Sequence, residues 1–122
     1  MVHALDRGVE LTVLRIFPTR EQRRQVMSVL RSVQGPMQAK AHCLCCGLFE
    51  EDGVEEAILY MECWDSREEF ERHVRSELYR RVLGAMEMSR VAPELRFHHV
   101  ATTSGMELVE ALRSEGANGQ PG

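Results

Sequence analysis

One stretch of the chain brings several chemically active side chains close together. Residues 59–74, LYMECWDSREEFERHV, contain five carboxylates, the only Trp, a Cys and a His. His73 could act as a general base, because the unperturbed histidine pKa of about 6.5 suits proton transfer near neutral pH. It could equally be a partly buried histidine that packs beside Phe70 on a helix face. The residue types therefore indicate a candidate base and leave both interpretations open.

Two residues of the same stretch could bind a substrate. Trp64 could stack on a flat ring, although a large aromatic residue at the end of a strand more often fills the core beneath a helix. Glu62 lies on the same strand face as Trp64, because side chains alternate with a period of two. A carboxylate rarely stays buried unless it is paired. Glu62 is therefore a functional group, a partner for Arg96 or a residue at a solvated rim, and the sequence favours the rim.

The four cysteines invite a metal or redox proposal. Three of them, Cys43, Cys45 and Cys46, lie within the motif CLCC, and Cys63 follows later. Zinc sites typically use C-x₂-C pairs with two further ligands, and the CLCC spacing divides the sulfur atoms between two strand faces. Neighbouring positions on one strand face are also too far apart for a comfortable disulfide. The pattern predicts four free thiols and no metal site.

Composition excludes several classes of function. The net charge of −4 comes from interleaved acidic and basic residues, which gives no broad basic surface for nucleic acid. No glycine-rich phosphate loop, hydrolase elbow or kinase motif occurs. A length of 122 residues with 43% apolar and 28% charged residues predicts one globular domain. Because no apolar run approaches about 18 residues and no signal peptide is evident, we expect a soluble, cytoplasmic protein with no membrane partner.

The first half of the chain predicts a strand, a helix and a hairpin. Residues 9–17 alternate as a strand does, and Thr19 with Gln22 forms a capping box for a helix that continues to about Gln34 and ends at Gly35-Pro36. The apolar stretches AHCLCCGLFEE and EEAILYMECW flank DGV, which predicts an antiparallel hairpin. The hairpin loop has two residues or five, and the sequence leaves this choice open.

The second half predicts a helix in two pieces, a strand and a last helix. Ser66 and Glu69 form a capping box just after Trp64, and the apolar face changes near residues 76–77, which predicts a break. The face of the second piece should contain Tyr79, Val82, Leu83 and Met86. ELRFHHVAT predicts the fourth strand, on which His98 and His99 point to opposite faces. The motif SGME, from Ser104 to Glu107, should open a short helix, and the tail from Gly116 should be disordered.

This order of elements predicts an α+β, ferredoxin-like split βαβ fold. Its four-stranded antiparallel sheet should have helices on one face, in a domain of residues 9–102. Residues 1–8 would form an N-terminal arm, and residues 103–122 would form the C-terminal helix and tail. The second face of the sheet needs a cover, and no further layer remains in the chain. We therefore expect a homodimer whose sheets meet face to face.

Four segments together resemble the antibiotic-biosynthesis monooxygenase family of small dimeric α+β barrels. They are CLCCGLFEEDG, ILYMECWDSREEFERHV, SELYRRVL and ELRFHHV, within residues 9–102. The resemblance implies oxidation of a quinol or polyketide-type phenol by molecular oxygen without metal or other cofactor, in a pocket between the sheet and its helices. Trp64, His73 and Tyr79 lie at the family's aromatic, histidine and aromatic positions, and Cys43 lies at a common family cysteine. We predict His73 as the catalytic residue and Trp64, Tyr79, Glu62 and Phe70 as substrate-binding residues.

The chain departs from the family pattern at several positions. The family often has Gly where this chain has His42, and a second helical His where it has Leu78. Haem-degrading relatives use a helical Trp and a helical His, whose places His73 and Leu83 occupy here, and the first strand lacks their Asn. These differences disfavour haem cleavage. An alternative function is a non-catalytic protein of the same fold that binds a small apolar or aromatic ligand.

Overall fold

The part of the chain that the structure describes contains eight elements. The structure, a computed structural model, describes residues 8–53 and 55–119. The strands are β1 (Val9–Ile16), β2 (Cys43–Glu50), β3 (Ile58–Trp64) and β4 (Glu94–Val100). The helices are α1 (Arg23–Gln38), α2 (Arg67–Val74), α3 (Tyr79–Glu87) and α4 (Met106–Gly119).

The four strands form one antiparallel sheet in the order β2-β3-β1-β4. The predicted ferredoxin-like α+β fold is therefore confirmed. The register also aligns four side chains in a row across the sheet, from Cys46 through Glu62 and Thr12 to Phe97. Residues that face each other across antiparallel strands lie on one face of the sheet, so this row belongs to a single face.

The hydrophobic core lies between the sheet and α1, α2 and α3. Strand β1 is buried at every second residue, and β3 follows the same alternation. This period of two matches a strand with one covered face. The buried apolar residues of the core include Leu14, Ile16, Val26, Leu30, Val33, Ile58, Tyr60 and Trp64.

Helix α1 differs from its prediction at both ends. Thr19 accepts a hydrogen bond from the Gln22 backbone N–H at 3.2 Å, but this turn precedes the helix, which begins at Arg23. The helix then passes through Pro36 and ends at Gln38. Proline removes the bond that the Ser32 carbonyl would accept within the helix. The Arg81 guanidinium donates to that carbonyl at 3.2 Å instead, which explains why the helix tolerates Pro36.

The hairpin between β2 and β3 has the longer of the two predicted loops. The backbone N–H of Glu51 donates to the carbonyl of Ala57 at 2.8 Å, which leaves residues 52–56 as a five-residue loop. Gly53 has a φ of +140°, a conformation that favours glycine. The Asp-Gly pair therefore marks the turn, while the pairing beyond it decides the loop length.

The predicted break between α2 and α3 is confirmed at residues 75–78. Ser66 caps α2 by accepting the Glu69 N–H at 3.2 Å. At the break, Ser76 donates to the His73 carbonyl at 2.6 Å and accepts from the Tyr79 N–H at 3.3 Å. The prediction for Leu83 was wrong, because its side chain is 45% exposed. The buried face of α3 is formed by Tyr79, Val82 and Ala85.

Helix α4 extends away from the core and is longer than predicted. It begins at Met106 rather than at Ser104, and the Gly105 N–H donates to the Glu107 carboxylate at 2.8 Å. The helix continues to Gly119 and so includes the first four residues of the predicted tail. Residues 120–122 of the predicted tail and residues 1–7 of the predicted arm lie outside the described residues.

No helix of the described residues covers the second face of the sheet. Its apolar side chains on the two central strands, Leu11, Val13, Leu59 and Met61, are half-buried. We call this surface the open face, and the side against the helices the covered face. Within residues 8–53 and 55–119, no helix is long and apolar enough to cross a membrane.

Candidate active site: a buried carboxylate network

Glu62 lies at the centre of the covered face. It is fully buried, so the predicted exposure at a rim was wrong. Arg96 is not its partner either, because Arg96 is exposed and its nearest carboxylate is that of Glu94, at 4.0 Å. The strand alternation that buries Tyr60 and Trp64 also buries Glu62 between them. A buried carboxylate at this position requires donors that offset the cost of its desolvation.

Three side chains supply those donors. The Trp64 indole N–H donates to Glu62 Oε1 at 3.0 Å, and the Tyr60 hydroxyl donates to Oε2. His73 Nε2 lies 2.9 Å from the same Oε2. Hydrogen bonds to an ionised group are stronger than neutral ones, so this set can hold a charged carboxylate inside the domain. Two of the donors come from β3, and His73 comes from α2.

The ring of His73 is enclosed by two aromatic side chains. Its centroid lies 5.1 Å from that of Trp64 with an interplanar angle of 34°, and 5.2 Å from that of Tyr79 with an angle of 88°. His73 is 2% exposed. A neutral ring with its proton on Nε2 would donate to the Glu62 carboxylate and carry a lone pair on Nδ1. Among the residues that the structure describes, Nδ1 has no hydrogen-bond partner.

Two further buried polar atoms lack partners in the described part of the chain. They are the hydroxyl oxygens of Thr12 and Tyr79. Thr12 lies opposite Glu62 on the neighbouring strand, and Tyr79 contacts the ring of His73. Unpartnered buried polar atoms are uncommon in folded proteins. Their concentration around one carboxylate marks this region as the candidate site.

Burial and the charge of Glu62 keep the surrounding acidic protons in place. These two causes raise the pKa of Tyr79 to about 12, and they also raise the pKa of Tyr60. Burial likewise raises the pKa of Cys43 to about 11 and that of Cys46 to about 12. At neutral pH these groups therefore keep their protons. The Tyr60 hydroxyl uses its proton in the bond to Glu62, and the Tyr79 hydroxyl remains available as a donor.

Phe70 forms a boundary between this network and a surface groove. It lies one helical turn before His73 and packs edge-on against Phe97 on β4, with ring centroids 5.5 Å apart. Thr12 separates Phe97 from Glu62 in the row across the sheet. The groove has a volume of about 250 Å³ and is lined by Arg67, Phe70, Glu71, Val74, Arg75 and Phe97. We call it the aromatic groove.

A second polar cluster lies at the end of β1. The carboxylate of Glu10, which is 7% exposed, accepts from Arg67 at 3.2 Å and lies 2.8 Å from His99 Nδ1. His99, rather than His98, therefore lies beside this buried carboxylate. The cluster borders a cavity of about 320 Å³ that Gly8 and Asp65 also line. In the described ranges, no three His, Cys, Asp or Glu side chains are arranged to hold a metal ion.

Four of the five predicted site residues are in direct contact. Glu62, Trp64, His73 and Tyr79 form one cluster, and Phe70 lies a helical turn away. Sequence reasoning missed Tyr60 and Thr12. Tyr60 could have been found, because it shares the two-residue period of Glu62 and Trp64. Thr12 could not, because only the pairing register of β1 and β3 brings it opposite Glu62.

Residues 11–84, more than half of the chain, match the sequence profile of the family described as antibiotic biosynthesis monooxygenase. The chain belongs to this family. The resemblance of the sequence segments is thereby confirmed, and a monooxygenase assignment is supported at the level of the family. Comparison with curated proteins finds no match.

Solved structures share the fold at low sequence identity. A conserved protein from Methanosarcina mazei is similar with a TM-score of 0.70 and 15% identity, over 80% of this chain and 98% of that one. A protein from Mycobacterium tuberculosis has a TM-score of 0.70 and 16% identity, over 80% and 100%. A structure described as an antibiotic biosynthesis monooxygenase has a TM-score of 0.65 and 17% identity, over 76% and 99%. At such identities the likeness establishes the fold alone.

Proposed function

We propose that this family member is a cofactor-independent monooxygenase that oxidises a small quinol or phenol with molecular oxygen. In this reaction the ring loses two hydrogen atoms and gains one oxygen atom, while the second oxygen atom leaves as water. Oxygen reacts slowly with a neutral phenol, and removal of the hydroxyl proton makes the ring electron-rich. The protein must therefore supply a base, a site for the ring and donors for the anion.

The observation that carries this proposal is the unpartnered Nδ1 of buried His73. Its other nitrogen is hydrogen-bonded to Glu62, at 2.9 Å. Glu62 fixes the tautomer and the orientation of the ring, so that Nδ1 presents a lone pair to the proton of the substrate hydroxyl. In this proposal His73 is the catalytic base and Glu62 is its positioning residue.

Two hydroxyl groups are suited to stabilise the anion that forms. The hydroxyls of Tyr79 and Thr12 are buried and have no partner among the described residues. A donor that is already desolvated and oriented stabilises developing charge better than water does. The raised pKa of Tyr79, about 12, keeps its proton available for this bond at neutral pH. We propose that these groups accompany His73, with Trp64 as the wall against the ring.

The aromatic groove is the proposed point of entry. Phe70 and Phe97 offer two ring faces for an aromatic molecule, and the volume of about 250 Å³ limits the ligand to a small ring system. Since His73 is 2% exposed, the substrate can reach it only when α2 moves away from the sheet. Helix α2 has eight residues and ends at the break at residues 75–78, which makes it the element suited to such a movement.

A second candidate function is supported by the closed state of the network. Tyr60, Trp64 and His73 already satisfy the Glu62 carboxylate, which is fully buried. A non-catalytic protein could bind a small aromatic molecule in the aromatic groove and leave this network undisturbed. The two functions differ in oxygen consumption, because ligand binding alone consumes none.

We also propose that the protein is a homodimer that pairs its open faces. The half-buried apolar residues Leu11, Val13, Leu59 and Met61 form one continuous strip across the two central strands. A contiguous apolar strip that the rest of the described chain leaves partly exposed is typical of an interaction site. In a symmetric homodimer, each sheet would cover the strip of the other, and no different protein would be needed.

Oxygen uptake with reduced naphthoquinones and a panel of phenols tests the proposed activity. We expect the wild type to consume oxygen and the His73→Ala variant to lose about 10²- to 10⁴-fold in rate, because a single base typically contributes that much. His98→Ala is the matched control, since His98 is exposed on β4. Circular dichroism should show that both variants remain folded.

Either of two results would contradict the assignment. A His73→Ala variant that retains the full rate removes His73 as the base. A wild type that binds aromatic molecules but consumes no oxygen with any of the panel supports the non-catalytic alternative. Under either candidate function, replacement of Phe97 by Ala should weaken the binding of aromatic molecules. This variant therefore tests the aromatic groove as a binding site, whether or not the protein consumes oxygen.

A further inference from the structure

A second hydrogen-bonded cluster, formed by Glu10, Arg67 and His99, borders the cavity of about 320 Å³ at one end of β1. We call this space the Glu10 cavity. We propose that the Glu10 cavity is a binding site for the hydroxyl group of a phenol, which it holds as the phenolate. The inference rests on the proposed function only in using the aromatic groove as the place of the ring, and it involves neither oxygen nor His73.

The Glu10 cavity contains a carboxylate and an imidazole in direct contact. The Glu10 side chain is buried, and its Oε2 lies 2.8 Å from His99 Nδ1. A neutral His99 ring with its proton on Nδ1 would donate to this carboxylate and carry a lone pair on Nε2. A carboxylate in this position orients the ring and stabilises the imidazolium that forms when Nε2 accepts a proton. His99 is therefore suited to take the proton of a bound hydroxyl group.

The structure leaves space for a ligand atom beside Nε2. The side chain of His99 is 53% exposed, although Nδ1 of the ring faces a buried carboxylate. A Cβ atom at position 8 would lie 3.1 Å from Nε2 and would also clash with the Val100 carbonyl oxygen. Gly8 has a φ of +76°, a conformation that favours glycine. A phenol oxygen can thus approach Nε2 where any other residue at position 8 would place a side chain.

Arg67 supplies a second group for the ligand oxygen. Its Nη1 donates to Glu10 Oε1 at 3.2 Å, and its Nε donates to Glu71 at 2.8 Å. Among the described residues, these bonds leave the donors of Nη2 without a partner. A phenolate could therefore accept hydrogen bonds from Arg67 and from protonated His99, and bonds between charged groups are about twice as strong as neutral ones.

Two further carboxylates near the cavity would oppose a phenolate, and each has a partner in the protein. Asp65 lines the cavity, and its Oδ1 lies 2.9 Å from Nδ1 of His42. Glu71, one turn along α2, is held by Arg67. These contacts reduce the repulsion that the carboxylates would exert on a bound anion. The groups that face the ligand oxygen directly are then the donors of Arg67 and His99.

The ring of the phenol has a place in the aromatic groove, which adjoins the Glu10 cavity. Arg67 lines both spaces, and its guanidinium carbon lies 5.5 Å from the ring centroid of Phe70. On β4, Phe97 and His99 lie two residues apart on the same face, about 7 Å along the strand. One ring and its hydroxyl group can bridge that spacing. This is the covered face, so the proposed pairing of open faces leaves both spaces accessible.

Binding as the phenolate is a proton transfer without a change of oxidation state. The O–H bond of the phenol breaks, its electron pair stays on the oxygen, and an N–H bond forms at His99 Nε2. Glu10 holds the imidazolium, and Arg67 donates to the phenolate oxygen. The step needs no oxidant, so it can be observed in the absence of oxygen.

Absorbance titration of 4-nitrophenol with the full chain, in the absence of oxygen, tests the proposal. This phenol ionises near neutral pH, and its phenolate absorbs at a longer wavelength than the phenol does. We expect the apparent pKa of the probe to fall by about 1 unit on the wild-type protein, the size of effect that an adjacent cation has on an acid. By calorimetry, nitrobenzene, which lacks the hydroxyl group, should bind at least about tenfold more weakly.

Variants of the cluster should remove this selectivity. His99→Gln deletes the proton acceptor and should abolish most of the pKa shift while its affinity for nitrobenzene stays close to that of the wild type. Glu10→Gln should also reduce the shift, because it removes the charge that stabilises the imidazolium. Arg67→Gln should weaken the binding of 4-nitrophenol, whereas Arg72→Gln is its control, since Arg72 is exposed on α2 and pairs with Glu69. Circular dichroism shows that each variant is folded, and exposed His99 provides the test if Glu10→Gln does not fold.

His73→Ala separates this inference from the proposed function. The pKa shift should persist in His73→Ala, because His73 does not line the Glu10 cavity. A shift that His73→Ala removes, or that His99→Gln retains, would overturn the inference and leave the proposed oxygenase standing. Equal affinities for 4-nitrophenol and nitrobenzene, or no shift on the wild type, would overturn it as well. A shift that depends on His99, in a protein that consumes no oxygen, would support the phenol site and contradict the oxygenase.

Discussion

The two faces of the sheet carry opposite chemistry. The covered face buries a carboxylate, a histidine and a threonine, namely Glu62, His73 and Thr12, among its apolar residues. The open face presents apolar side chains such as Leu11 and Met61, and no other described residues cover them. A few polar groups are thus buried within an apolar core, while apolar groups remain on a surface that this part of the chain leaves uncovered.

This difference shows which surface needs which kind of partner. Buried polar atoms are tolerated only when they are hydrogen-bonded, and the Glu62 network satisfies that requirement except at three atoms. Exposed apolar area is tolerated only when something covers it. We therefore propose a small polar aromatic ligand for the covered face and a second copy of the protein for the open face. Both assignments can be tested by a substitution on each face, measured against a control substitution elsewhere on the protein.

The largest effect is expected from a change to the covered face. Glu62→Gln leaves the shape of the side chain nearly unchanged but removes the charge that three donors share. We expect a loss of about 3 kcal/mol in the free energy of unfolding, because the amide offers one acceptor oxygen to three buried donors, and hydrogen bonds to a charged group contribute about 1.5 to 3 kcal/mol. Urea denaturation measures this loss. Glu68→Gln, on the exposed side of α2, is the control and should change stability by less than about 0.5 kcal/mol.

A similar stability for Glu62→Gln and Glu68→Gln would contradict the central role of the network. The comparison becomes sharper if the activity of Glu62→Gln is also measured. A positioning role for Glu62 predicts a lower maximal rate at saturating substrate, whereas a purely structural role predicts only a lower content of folded protein.

A charge on the open face should have the next largest effect. Met61→Glu places a carboxylate at the centre of the proposed interface, where its desolvation has no compensating partner. We expect the dissociation constant of the dimer to rise by at least about tenfold, equivalent to about 1.4 kcal/mol. Light scattering across a concentration series measures the change from a dimer to a monomer of 13.9 kDa.

Leu83→Glu is the control for this substitution, because Leu83 is exposed on α3 and away from the open face. The dissociation constant of the Leu83→Glu dimer should be close to that of the wild type. A wild type that remains a monomer at micromolar concentration would contradict the assignment of the open face, since an interface of ordinary size should associate there.

The smallest effect concerns the pH dependence of stability. Burial raises the pKa of Cys46 from 9.0 to about 12, so the unfolded chain loses this proton at a lower pH than the folded chain does. The stability that the raised pKa of Cys46 contributes is fully present below about pH 9 and is lost as the pH rises towards 12. Cys46→Ala should therefore make the decline of stability above pH 9 less steep. Denaturant midpoints of the wild type and of Cys46→Ala at pH 8, 9 and 10 measure this decline. If stability falls equally steeply with pH in both proteins, the burial of this thiol is contradicted.

Local patterns predicted much of the molecule, because they depend on interactions between near neighbours. The alternation of β1 and β3, the cap of α2 at Ser66 and the break before Tyr79 all follow from spacing and turn chemistry within a few residues. The same alternation grouped Glu62 with Trp64. Helix ends were predicted less well, because Arg81 compensates for Pro36 from a different helix.

The sequence by itself determined the order of the elements, the ferredoxin-like fold and the presence of Glu62, Trp64 and His73 near one junction. Only the tertiary structure decided that Glu62 is buried rather than at a rim, because the donors that make its burial possible come from two elements. The register alone places Thr12 opposite Glu62 and Cys45 opposite Cys63. Pairing between distant segments depends on the sum of contacts along both strands and on bulges, and no single local pattern encodes that sum.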